Sequence, residues 1–179
     1  MAQGTAAQAS TPAPENQKID PAQIQYAIAQ LRSHQNLAGG ALAGLAAALV
    51  GAAIWAGITL ATHYQIGWMA VGIGFLVGFA IRSIGRGIDR VYGYVGAGLS
   101  LLGCAAGNLL TVCAAISQQH DMPILDVLSR LTPYIVQQLM VASFSPMDVL
   151  FYAIAVYEGY RLSFRQVTMQ EVRTLLTGA

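Results

Sequence analysis

Charge is scarce in this sequence. Asp, Glu, Lys and Arg together make up 9% of its 179 residues, against about a quarter in an ordinary soluble domain. Hydrophobic residues make up 55%, and the mean hydropathy is +0.54. Such a chain cannot clothe a large soluble core in polar side chains, so its composition points to a membrane as the solvent. A net charge of +1 and a pI near 7.8 also lack the clustered basic residues that nucleic acid recognition requires. No nucleic acid partner is expected; lipid and protein remain.

Reactive side chains are equally sparse. The two cysteines, Cys104 and Cys113, sit nine residues apart in one apolar run, on different turns of a helix. They cannot bond to each other there, and with no histidine beside them they make no zinc site. They read as small buried hydrophobes. His34, His63 and His120 fall in separate segments without carboxylates or cysteines at ligand spacing, so no metal and no cofactor is implied. Gly72-Ile73-Gly74 followed by Gly78 imitates a nucleotide loop, but no strand precedes it and no helix starts after it. No serine has a base near it in an apolar run. No catalytic residue is assigned, and the chain is expected not to be an enzyme.

What the sequence has is long uncharged runs. Residues 37–81 contain no Asp, Glu, Lys or Arg, interrupted only by His63-Tyr64-Gln65. A spanning helix needs about 20 apolar residues, so this stretch predicts a transmembrane hairpin over 37–62 and 66–84. Trp55, His63, Tyr64 and Trp68 surround its turn, as amphipathic rings do at a membrane interface. A third span fits residues 91–116, completing a three-span core over 37–117. Each run carries small residues that let helix backbones approach closely in lipid. The candidate packing glycines are Gly40, Gly44 and Gly51 in the first, Gly74 and Gly78 in the second, and Gly103 and Gly107 in the third. Gly67 and Gly72 extend the set in the second run.

The flanks carry helix-start signals. Residues 1–20 have almost no large apolar side chain and predict a disordered tail. Asp20-Pro21 then opens a cytoplasmic amphipathic helix over 21–36, with Ile24, Ala27, Ile28 and Leu31 on one face. Residues 118–144 predict an extracytoplasmic segment of two short amphipathic helices, one opened at Pro123 and one at Thr132-Pro133. Ser145-Pro146-Met147-Asp148 places a capping serine, a first-turn proline and an acid at the third position. It opens a fourth span over 145–162, short enough that an in-plane helix is the alternative. Thr168 to Glu171 begins a small helix in the cytoplasmic tail, residues 163–179.

Orientation follows from the basic residues. With the N-terminus inside and four spans, Lys18, Arg32, Arg82, Arg86, Arg90, Arg161, Arg165 and Arg173 are cytoplasmic and Arg130 alone is outside. Arg82, Arg86 and Arg90 recur at spacing four. If the helix continues they form a basic stripe able to meet a lipid headgroup, although a topology signal explains them too, and Gly85 and Gly87 weaken helix continuity there and offer a turn instead. Asn108, Thr111 and Glu158 are the candidate intramembrane polar residues, because a buried amide, hydroxyl or carboxyl needs a partner or a polar path.

The stretch Gly39-Gly40-Ala41-Leu42-Ala43-Gly44 through Trp55, then Tyr64-Gln65-Ile66-Gly67-Trp68-Met69-Ala70-Val71-Gly72 and Ser145-Pro146-Met147-Asp148, resembles a group of small uncharacterised bacterial polytopic inner-membrane proteins. The resemblance implies a bacterial inner membrane and brings no activity or site. The expectation is therefore an all-α integral membrane bundle of about four transmembrane helices plus short amphipathic ones. It would be a non-catalytic structural or accessory component that self-associates or has a membrane protein partner. A small transporter or channel component is the alternative.

Overall fold

A computed structural model describes residues 20–62 and 67–177. The predicted tail therefore lies outside the described residues except for Asp20, and so do His63, Tyr64 and Gln65 of the predicted turn. The described chain is all helical. Three long helices form its centre: α2 (Leu37–Thr62), α3 (Trp68–Gly85) and α4 (Arg90–Gln119), each long and apolar enough to cross a membrane. They are preceded by α1 (Pro21–Ser33) and followed by α5 (Ile124–Ser129), α6 (Pro133–Ser143), α7 (Pro146–Leu162) and α8 (Met169–Thr177).

The starts that the sequence marks are built as caps. Asp20 accepts from the Ala22 N–H, Thr132 from the Ile135 N–H, and Ser145 from the Met147 N–H. At α7 the box closes, because the Ser145 N–H donates to Asp148 Oδ2 at 2.8 Å. Phe144 and Ser145 are extended, Ser145 as the residue before a proline favours, and α6 and α7 meet at 105°.

Glycine contacts define how the helices run. A Cβ built on Gly40 would lie 3.0 Å from Gly85 Cα, and one on Gly51 would lie 2.9 Å from Ile73, so α2 and α3 are antiparallel. Gly103 meets Ala48, and Gly107 meets Ala52 and Trp55, so α4 runs parallel to α2. Helix α7 fills the groove between α3 and α4. Gly67 touches Phe151, Gly74 the Ala155 backbone, and Gly78 Leu162. Beyond α7 the Arg165 N–H donates to Gly87 O at 3.0 Å. The 17 residues of α7 and the segment after it thus run the full length of the 18-residue α3. Helix α7 lies alongside α3 in the bundle; by length and composition α2, α3 and α4 qualify as spans, and a fourth is counted only if α6 and α7 are taken together. The amphipathic pair is elsewhere, with α5 and α6 packing on α4.

Two expectations about the spans are corrected. Trp55 is not an interfacial ring; it is 1% exposed, in the core under Gly107. The outward tryptophan is Trp68, 68% exposed, its ring tilted against Phe151 at 5.8 Å. Gly72, proposed as a packing position, has nothing within 4 Å of the Cβ it lacks.

One end of the bundle gathers the termini. There α1 packs on α8, the Asn36 N–H donates to Gly85 O, and Arg32 pairs with Asp89 at 2.9 Å. Arg82, Arg86, Arg90, Arg161, Arg165 and Arg173 share this end with Arg32. Arg130 caps the C-terminus of α5, beyond the opposite end of α4.

Candidate functional site

Two places hold polar chemistry, one inside the bundle and one at its basic end. The inner one begins on α4. Asn108 is 1% exposed, and its Nδ2 donates to Ser143 Oγ of α6 at 3.2 Å. Tyr152 of α7 lies beside it and donates from its hydroxyl to Cys104 O at 3.2 Å. Thr111 turns back on its own helix, donating to Gly107 O at 2.8 Å. Cys104 and Cys113 are free thiols, both fully buried.

Glu158 does not join this group. It sits six residues beyond Tyr152, about 9 Å along the helix, half-buried at the level where α7 meets Gly78. Among the described residues it forms no ion pair, with Arg161 or with any other residue. The candidate intramembrane polar residues are thus two neighbours and one outlier, not a line of side chains.

A feature that sequence reasoning missed lies between α4 and α7. Ala155, Gly159 and Ser163 repeat at spacing four along α7 and its C-cap; Ala155 faces Gly74 of α3, while Gly159 and Ser163 face Gly96 and Ser100 on α4. Gly96 meets Gly159 O and Ser163, and Gly159 meets Ser100. Ser163 donates to Gly159 O at 2.5 Å, while Ser100 Oγ is buried without a hydrogen-bond partner among the described residues. The signal was available as a second small-residue repeat in a helix read chiefly for its length.

The basic end holds the second place. Helix α3 ends at Gly85, and Arg86 takes the left-handed conformation at φ 49°. The predicted stripe is broken by that turn. Arg82 and Arg86 remain on one side and line a cavity of about 520 Å³. Arg90 opens α4 and lines a separate, shallower groove with Asp89 and Tyr94. In its place the fold brings Arg165, from almost eighty residues away, and His34. Arg165 also pairs with Glu171 of α8, whereas among the described residues Arg82 and Arg86 have no carboxylate partner.

Among the described residues, no three His, Cys, Asp or Glu side chains gather so as to hold a metal. No protein family, curated protein or solved structure matches the chain.

Proposed function

We propose that this chain is a non-catalytic, multi-pass component of the bacterial inner (plasma) membrane, with four spans and both termini cytoplasmic. It serves as a structural or accessory element of a membrane assembly. The basic end supports the orientation, since positive residues are held back on the cytoplasmic side.

The observation that carries the reading is the closed interior. The glycines at the helix crossings are occupied by neighbours within the chain, and Asn108, Thr111 and Tyr152 bond to partners a few ångströms away. Such contacts make a rigid body. Its outer face presents Leu42, Leu49, Phe75, Phe79 and Leu102, all exposed, to lipid or to a membrane protein. Purification of the tagged chain in mild detergent, with mass spectrometry and native mass measured on one sample, tests this. A stoichiometric membrane partner or a defined self-assembly is expected. A monomer that carries solute flux in proteoliposomes would sink it.

A second reading, a small transporter or channel component, has one observation behind it. Among the described residues, Trp55 Nε1, Thr59 Oγ1 and Ser100 Oγ are buried without hydrogen-bond partners, and unpaired polar groups inside a membrane protein often mark a path. Asn108→Ala separates the two. Lost folding supports the structural bond, whereas lost flux in a folded protein supports transport.

A further inference from the structure

The cavity at the basic end is two-sided. Arg82, Arg86 and Arg165 supply its charge, and His34 adds a polar ring, while Leu31 and Phe79 make its apolar wall. Phe79 is 60% exposed, and Phe75, one turn earlier on the same face of α3, is equally open. Along that face the order is therefore Phe75, Phe79, Arg82, Arg86: two aromatic rings at membrane depth leading into two cations at its surface. A soluble anion would use the cations and leave the rings idle. A molecule with a phosphate at one end and a hydrocarbon chain at the other uses both.

Charge balance adds to the argument. The neighbouring Arg32 and Arg165 have carboxylate partners, but among the described residues Arg82 and Arg86 do not. Arg86 also occupies a left-handed backbone position that glycine adopts far more readily. The chain thus places an uncompensated guanidinium at a turn where glycine would be easier, beside a second one, over an apolar track.

We propose that this cavity holds the phosphate of an anionic phospholipid, with Arg82 and Arg86 as its principal contacts and an acyl chain lying on Phe75 and Phe79. Arg165 contributes from the segment after α7, shared with Glu171. The site rests on the membrane placement of the bundle and not on its accessory role. Washing from membranes with carbonate would refute that placement, whereas loss of lipid preference in a retained protein would refute the site alone.

The test is native mass spectrometry of the full chain from detergent micelles doped with phosphatidylglycerol or phosphatidylcholine. Phosphatidylglycerol is expected to be retained in preference. Each arginine removed should weaken retention roughly fivefold, so Arg82→Gln with Arg86→Gly should lose most of the preference, while the glycine relaxes the turn. Arg82→Lys should keep it, and Arg130→Gln, at the opposite end, should leave it unchanged. Phe79→Ala tests the acyl track and should weaken lipid retention while leaving all three arginines in place. If the double variant fails to fold, Phe79→Ala and Arg82→Lys decide. Equal retention of the two lipids, or an undiminished preference in the double variant, overturns the proposal. So does stabilisation by inorganic phosphate that matches that by phosphatidylglycerol and is indifferent to Phe79→Ala, which would assign the site to a soluble phosphate.

Discussion

Gly74→Ala should separate α3 from α7, and Gly72→Ala, two residues away, should not. The Cβ that Gly74 lacks would stand 2.7 Å from Ala155 Cα and 2.9 Å from its carbonyl carbon, whereas the one Gly72 lacks would meet nothing within 4 Å. Carbon atoms rest about 3.5–4.0 Å apart, and the atoms in the way at Gly74 are backbone, which cannot swing aside. The two helices must therefore part by about 1 Å along their crossing. Overpacking of this kind costs about 1–3 kcal/mol. The helix-propensity gain of Gly→Ala, about 1 kcal/mol, applies to both variants and cancels between them. The difference between the two is therefore the packing cost, or about 2–12 °C in melting temperature for a chain of this size. Thermal unfolding of both variants in the same detergent measures it. If the two melt together, α7 does not lie against α3 as described, and the fourth upright helix falls with it.

Other perturbations follow from the same contacts. Leu at Gly40 with Gly44, or at Gly103 with Gly107, should lower thermal stability more than Gly74→Ala, because larger side chains meet Gly85, Ile81, Ala48 and Trp55; unchanged melting of both pairs would contradict the assigned crossings. Asp148→Asn should weaken the α7 capping box by about 1 kcal/mol, read by the same assay. Cys104 and Cys113 should resist a maleimide in the folded protein and react on unfolding; rapid labelling of the native state would mean that the interior is open. Reporter fusions at the C-terminus should read cytoplasmic, and one in the α5–α6 connection should read extracytoplasmic; the reverse pattern would invert the orientation.

Much of the fold was legible because its determinants are local. A helix in lipid must satisfy its backbone within itself, so uncharged length alone announces α2, α3 and α4. Asp20, Thr132 and Ser145 announce helix starts because a capping oxygen and a following proline act within one turn. Packing faces are different. Helix α2 is apolar on every side, so no periodicity distinguishes the side holding Trp55 from the side holding Leu42. The same holds for Gly72 and Gly74, which look alike in sequence and differ only in what stands opposite.

The candidate site divides in the same way. Sequence alone determined that basic residues cluster at the ends of the long apolar runs, since their charge resists an apolar environment. That Arg82 and Arg86 part from Arg90 depends on where α3 ends, at a turn held by Asn36 and Arg165 through Gly85 and Gly87. That Arg165 replaces Arg90 depends on α7 lying beside α3. Partners brought together across eighty residues are chosen by the complementary shapes of small-residue faces, and shape exists only once the helices have packed.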